Sequence, residues 1–397
     1  MTGPLDGIRV LDLGRFVSCP FCGMLLADLG AEVIRVERSV GGPDRTLGLQ
    51  ASWGYGYSFM NQNRNKKAIS LNIERSDRAK EILYELVKRS DVVIENFSPE
   101  AAKAFGITYE NLKAIKTDII FAHVSAFGST GPYSHRLGFD PIGKAISGSL
   151  SVSGFPGPPT KEQTPHVDYL TGCLTALGVV SAVYHRDRSG EGQMIETALL
   201  QSAVTFMAPI ISEWETGKKR RVQTGNRIPW MGPNNVYQTK DGKWMVLVII
   251  TDGIWKRFCR FIGRDDLMDD PRFNSELSRS KHHDILEPVV SDWVSSQTAE
   301  ELTAAAEKIP IPCALCYEQT EVAGDPQVQA LEMLAEVLAP DGKSKATVTG
   351  IPLRMSATPL KIERSFPMIG EHNEEIYCGI LGFTRDDLVR LKEEEVI

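Results

Sequence analysis

Through its first third the 397-residue chain alternates short apolar runs with helical periodicity, and that alternation leaves few folds open. "IRVLDLG" (8–14) is an apolar run ending in glycine, and "PFCGMLLADLG" (20–30) spaces its apolar residues as a helix does, closing at Gly30. "AEVIRVE" (31–37), "AISLNI" (68–73), "DVVIENF" (91–97) and "DIIFAHVSAFG" (118–128) read as further strands. Between them, 75–90 carries a helical face of Ala79, Ile82, Leu83, Leu86 and Val87, and Ser98 caps a helix with Pro99 at its first position. Short links between such units predict a parallel sheet covered by helices, a Rossmann-like α/β layer.

Residues 138–166 are rich in Gly, Ser, Pro and Thr and read as a functional loop. An apolar helix follows from Asp168, with Leu170, Leu174, Leu177, Ser181 and Tyr184 on one stripe, and then a strand in "QMIETALL". "GKKRRVQTGNR" (217–227) reads as a solvated linker. Beyond it lie a hairpin over 234–250 turning at Asp241-Gly242 and helices near 253–262, 281–296 and 298–308, the makings of a smaller α+β domain. A strand at 346–352 and an amphipathic helix "TRDDLVRLKEEE" end the chain.

The charge balance narrows function. Lys and Arg number 44 against 51 Asp and Glu, a net charge of −7, which disfavours nucleic acid as a partner. No run approaches the roughly 18–20 apolar residues of a membrane helix. The start of the chain lacks the pattern of a signal peptide, so a cytoplasmic location is expected. Seven cysteines include the pairs Cys19/Cys22 and Cys313/Cys316, read as buried reduced thiols rather than a zinc site. No metal is expected.

Asp168 admits two readings, a helix N-cap that needs no function and a reactive carboxylate. A helix N-terminus favours an ionised acid by ~0.3–1 kcal/mol, up to ~2 when partly buried, so the ionised form is expected. Gly143, Gly148, Gly154 and Gly157 offer backbone N–H groups for close approach to a ligand. The first strand is followed by neither a dinucleotide glycine fingerprint nor a phosphate loop, which disfavours a nicotinamide enzyme. Arg38, Arg45, Arg64, Lys66 and Lys67 follow or flank strands and, as a set, suggest an anionic ligand. His123 reads as a half-buried core histidine, with His135 and His166 nearer the candidate site. Trp53, Tyr55, Tyr57, Phe59, Trp230 and Met231 are candidates for an apolar acyl pocket.

"PLDGIRVLDLG", "LLADLGAEVIRVE", "NRNKKAISLNI", "DVVIENF", "VSAFGSTGPY", "GFDPIGKAISG", "DRSGEGQ" and "TGNR…YQTKDGKWMVL" occur in that order. Together they resemble the class III CoA-transferases, of the formyl-CoA and carnitine CoA-transferase type, over about residues 4–390. The resemblance implies a large Rossmann-like domain over 1–215 completed by 330–397, a linker at 216–225 and a small domain at 226–329. It implies an interlocked homodimer, CoA as a substrate rather than a resident cofactor, and acyl-CoA and carboxylic acids as partners. The family nucleophile, an Asp opening the helix after a "GPP" loop, falls on Asp168. CoA contacts fall on Val17, Ser18, Arg38, Leu71, Asn72, Ile73, Glu74, Asn96, Phe97, Ser98 and Arg136, with Lys103 beside Ala104 where the family carries a basic residue. The glycine-rich loop of formyl-CoA transferase is replaced by "GNRIPWMGPNN" (225–235), which points away from formyl-CoA.

The implied reaction is CoA exchange between an acyl-CoA and a free acid through aspartyl anhydride and aspartyl-CoA thioester intermediates. The alternatives are a 2-methylacyl-CoA racemase of the same superfamily and a non-catalytic acyl-CoA-binding homologue. A racemase needs an acid and a base on opposite faces of the α-carbon, and the position of its histidine holds Phe139 here.

Overall fold

The computed structural model describes residues 3–339 and 342–397. Six strands form one sheet: β1 (Arg9–Asp12), β2 (Glu32–Glu37), β3 (Lys67–Ser70), β4 (Val92–Glu95), β5 (Ile120–Ser125) and β6 (Met194–Ala198). Their order is β3-β2-β1-β4-β5-β6, and every pairing is parallel. Successive residues face opposite cores. Leu11 and Ile34 join Ile82, Leu86 and Ile376 on one face, while Val10 and Val33 join Cys22, Leu26 and Val179 on the other. Burial on both faces is why the strands read as continuous apolar runs. The order reverses between β1 and β4. In sheets of this kind ligands bind beyond the carboxyl ends of the strands at that point.

The predicted helices form where their apolar faces can be buried. Asp77–Lys88 buries Ala79, Ile82, Leu83, Leu86 and Val87, and the Ser76 side chain accepts from the Ala79 N–H at its start. Ser98 does the same for Pro99–Phe105. The long helix His166–Ser189 departs from expectation. Its predicted stripe is not the buried face: Leu170 and Leu174 are half-buried, and Leu177 is 63% and Tyr184 60% exposed. The buried face is instead Val167, Thr171, Gly172, Thr175, Ala176 and Val179. Small residues are needed there because the helix Ser18–Asp28 approaches closely: a Cβ on Gly172 would lie 2.8 Å from the Ser18 carbonyl oxygen. This helix also corrects the membrane expectation. Its 24 residues and mean hydropathy of 1.4 pass the length and composition test for a span, yet half of that window is buried in protein.

The chain gathers into two compact units, one of Met1–Ser147, Glu162–Pro209 and Pro326–Ile397, the other of Gly148–Lys161 and Ile210–Asp325. The 148–161 segment, placed within the first domain by the sequence reading, clusters with the second unit. In that unit β7 (Asn234–Gln238), β8 (Trp244–Val248) and β9 (Cys313–Leu315) form an antiparallel sheet, with Gly242 at φ +76° in the predicted turn. Helices Asp252–Phe261, His283–Ser295 and Ala299–Lys308 pack Trp255, Phe258, Val290 and Leu302 into its core.

The basic run at 217–227 is not merely solvated. Arg221 pairs with Glu213 and lies 3.5 Å over the Trp230 ring. Gln223 donates to the carbonyls of Ser153 and Pro158 and accepts from the Gly157 N–H. The Gly157 amide is therefore occupied within its own unit and is not the free donor expected. Cys19 and Cys22 are buried, whereas Cys316 is exposed, against expectation. In the first unit β10 (Leu334–Leu338) and β11 (Lys345–Thr349) add a two-stranded ribbon, and Thr384 caps the last helix, Arg385–Glu393, in a capping box.

Candidate active site

Asp168 lies in the first turn of His166–Ser189 and is 9% exposed. It is not the cap. Pro165 holds the N-cap position and cannot cap with its side chain. The orphan N–H groups are met from another element: Asp140 Oδ2 accepts from the backbone of Val167 at 2.9 Å and of Asp168 at 3.3 Å. Asp140 opens the helix Asp140–Ser147, and its other oxygen lies 2.9 Å from Lys144 Nζ one turn on. Lys144 Nζ also donates to the Thr164 carbonyl at 2.7 Å. The Asp140–Lys144 pair thus fixes the start of the long helix and leaves the Asp168 carboxylate free of capping.

Sequence reasoning missed both roles, although the signal was legible. "DP" marks a helix start with proline at its first position, and a lysine four residues after an acid makes an i,i+4 pair. Gly143 lies inside this helix, where a Cβ would meet the Leu199 carbonyl oxygen at 3.3 Å, so its smallness serves packing rather than ligand approach.

The Asp168 carboxylate has one side-chain donor among the described residues. Ser18 Oγ, 5% exposed, donates to Oδ1 at 3.0 Å, leaving Oδ2 without a protein partner. Burial pushes the Asp168 carboxyl up to about 6, against the Ser18 hydrogen bond and with the Asp140 charge adding to the rise. The expectation that the helix terminus would decide the charge is corrected: desolvation wins because the carboxylate sits inside. Ser18 is placed by a tight turn after β1 in which Phe16 adopts φ +70°, an outlying conformation for an aromatic residue. The Phe16 ring meets Phe139 edge-on at 5.4 Å.

The loops after β1, β2, β3 and β4 converge beside this turn. Asn96 brackets Arg15, accepting from its N–H and donating to its carbonyl at 2.9 Å each. The Arg15 guanidinium pairs with Glu74 at 2.9 Å and lies 5.3 Å over the Phe97 ring. Arg38, Ser39, Val40, Asn72, Glu74 and Arg75 line a cleft with about 370 Å³ of empty space, which Asp168 does not reach. Arg38 Nε is buried there with no hydrogen-bond partner among the described residues. An unsatisfied buried donor is rare, and a ligand oxygen would satisfy it.

The other candidate cations are spent on ion pairs: Arg45 with Glu37, Arg64 with Asp28, Lys66 with Asp12, and Lys67 with Glu32 and Glu375. Of the five basic residues singled out, only Arg38 lacks an ion pair among the described residues. Leu71 and Ile73 put their side chains into the core, leaving only backbone for a ligand. Asn72 is committed to Ser39 and to the Glu395 carbonyl. Val17 is buried at the N-cap of Ser18–Asp28, and Ser98 caps its own helix. Lys103 and Arg136 are exposed, and Arg136 stacks 3.9 Å over Tyr133.

Of the expected acyl-pocket residues, Tyr57 and Trp230 are exposed, whereas Phe59 belongs to the core with Trp53 and Tyr55 packed against it. Phe59 is 1% exposed and packs with Tyr55 and Phe366, and Arg45 lies 4.4 Å over the Phe59 ring. Trp230 is taken up by Arg221. His123 is buried and bonded to Glu95, which raises its pKa against the effect of burial. His166 faces Glu162 at 2.9 Å, and His135 is exposed.

Comparisons with known proteins give the family. The family model for CoA-transferase family III matches residues 5–373. The chain is 36% identical to the succinyl-CoA–D-citramalate CoA-transferase of Chloroflexus aurantiacus, over 99% of this chain and 98% of that protein. It is 32% identical to the succinate–glutarate CoA-transferase of Agrobacterium fabrum, over 95% and 96%. Among solved structures, a CAIB/BAIF family protein from Brucella suis superposes with a TM-score of 0.84 at 29% identity, covering 96% of this chain and 100% of that one.

Proposed function

The chain belongs to CoA-transferase family III and transfers CoA between an acyl-CoA and a carboxylic acid, and we propose that Asp168 carries the CoA between them. The observation that supports this is a buried carboxylate, one oxygen held and the other unpartnered, beyond the carboxyl ends of the strands. Asp168 Oδ2 attacks the thioester carbonyl, the carbon–sulfur bond breaks, and CoA leaves as the thiolate. The thiolate then attacks Cγ of the mixed anhydride and expels the free acid. The acceptor carboxylate attacks Cγ of the resulting aspartyl-CoA thioester and expels CoA thiolate, giving a second anhydride; the thiolate then attacks the acceptor's acyl carbon, breaks its bond to the bridging oxygen, and leaves the new acyl-CoA and the free Asp168 carboxylate. Thioester energy is conserved at each step, and one difficult exchange becomes several easier ones.

The CoA nucleotide lies in the cleft lined by Arg38, Asn72 and Glu74, where the unpartnered Arg38 Nε takes a phosphate oxygen. The name of the Chloroflexus relative favours succinyl-CoA as donor, and both names favour short dicarboxylic acids as the acids exchanged. The enzyme works as a cytoplasmic, interlocked homodimer of two-domain chains. The deciding experiment is intact-protein mass spectrometry after incubation with succinyl-CoA. A CoA adduct on Asp168 that hydroxylamine removes, and its absence in Asp168→Ala together with loss of exchange, is the expected result. Exchange surviving in Asp168→Ala would overturn the assignment.

A further inference from the structure

We propose that the Ser18 hydroxyl is a catalytic group, the donor that stabilises the oxyanion each time a nucleophile attacks Cγ of Asp168. The inference rests on Asp168 as the CoA carrier and deepens it. Two different carbons take charge-developing attack in that reaction. When Asp168 attacks the donor, the negative charge grows on the substrate's carbonyl oxygen. When the CoA thiolate attacks the anhydride, or the acceptor carboxylate attacks the aspartyl thioester, it grows on the Asp168 oxygen that remains a carbonyl. With Oδ2 used for bonding, that oxygen is Oδ1, the atom to which Ser18 Oγ donates at 3.0 Å.

The balance of the second step fixes what the hydroxyl does. A sulfur–Cγ bond forms, and because Oδ2 is now the single-bonded bridging oxygen of the anhydride, the π electron pair of the Cγ carbonyl moves onto Oδ1. Collapse restores the carbonyl and breaks the bond from Cγ to the anhydride oxygen, and the free carboxylate leaves with that electron pair. The Ser18 proton stays on Ser18 and shortens its hydrogen bond as charge arrives. In the anhydride and the thioester Oδ1 is a neutral carbonyl oxygen, so a preorganised donor aimed at the charge it gains on attack at Cγ accelerates those steps rather than tightening substrate binding.

The hydroxyl is prepared for this. Ser18 is 5% exposed, so water does not compete for the bond, and its backbone is fixed at the first position of Ser18–Asp28 after the Phe16 turn. Gly172 permits the approach that sets the distance, since its missing Cβ would strike the Ser18 carbonyl oxygen. The hydrogen bond also favours the ionised Asp168, opposing burial. One group therefore readies the nucleophile as an anion and later serves the same carboxyl group as an electrophile.

The test compares Ser18→Thr with Ser18→Val, two side chains of one shape that differ in the hydroxyl. Growth of the CoA adduct from succinyl-CoA and discharge of the isolated adduct by succinate are followed by mass spectrometry, with CoA affinity and melting temperature alongside. Retained rates in Thr and a loss of about 10²–10³-fold in both steps in Val, at equal affinity and melting temperature, is the expected result. Equal rates in the two variants, with the wild-type adduct on Asp168 intact, would overturn the role of Ser18 alone. A wild-type protein that exchanges CoA with no adduct on Asp168 would overturn the carrier assignment and this proposal with it.

Discussion

At the scale of single residues, the site turns on what burial does to one carboxyl group. Asp168 is raised from 3.8 to about 6, and at ~1.36 kcal/mol per unit that shift amounts to about 3 kcal/mol. The sign is unfavourable to the fold. Below pH 3.8 the acid is protonated in both states and nothing is lost. Between 3.8 and 6 the unfolded chain releases its proton first, so stability falls as pH rises, and above 6 the full penalty stands. Asp168→Asn is therefore expected to raise stability by about 1–3 kcal/mol at pH 8, a gain that disappears near pH 4 in denaturant titrations. The same value governs the chemistry. An unprotonated nucleophile is needed, so kcat/KM should rise with pH through about 6 and level above it. A flat profile from pH 5 to 8 would contradict this. The nucleophile's position was legible in the sequence through the resemblance, but its charge was not. The helix terminus visible in the sequence argued for a low pKa, and only the packed structure shows that Asp140 takes the N–H groups and leaves Asp168 to be desolvated.

At the scale of elements, two helices packed face to face set the site. Ser18–Asp28 and His166–Ser189 meet where Gly172 lies against Ser18, Phe21 and Cys22. Replacing Gly172 by Ala favours the isolated helix by ~1 kcal/mol, while overpacking costs about 1–3 kcal/mol. The added carbon would lie 2.8 Å from a backbone oxygen that cannot turn aside, so overpacking wins. Gly172→Ala should lower the melting temperature and slow CoA-adduct formation more than it weakens CoA binding, because it displaces Ser18 from Asp168. A variant with wild-type adduct kinetics would show that the two helices do not set this distance. The strands and the Asp77–Lys88 helix were readable because period and burial agree. The long helix misled because its leucines are half-buried or exposed rather than core: close helix packing selects small residues, and a pattern of large apolar residues does not mark that face.

At the scale of the whole molecule, the proposed homodimer would give the exposed end of the long helix a partner. Leu177 and Tyr184, with Phe206 at 52% and Leu137 at 85% exposed, are large apolar side chains that a second copy of the chain could cover. Light scattering should give twice the 43.9 kDa chain mass, and Leu177→Asp should lower the dimer fraction or the yield of folded protein. A monomeric wild type would overturn the dimer proposal. The sequence by itself determined the parallel sheet, since alternating strand and helix periods with short links admit little else. It also carried the family through motifs spread over nearly the whole chain. The tertiary structure alone decided which charges remain for a ligand and which carboxylate remains reactive. Arg45, Arg64, Lys66 and Lys67 look equivalent to Arg38 in the sequence, yet each is neutralised by an acid that is distant in the chain or on a neighbouring strand. Asp140 and Asp168 both open helices, yet one caps and the other is left with a free oxygen. Periodicity is a local property that a sequence states outright, whereas charge pairing and desolvation depend on which distant residues the fold brings within a few ångströms.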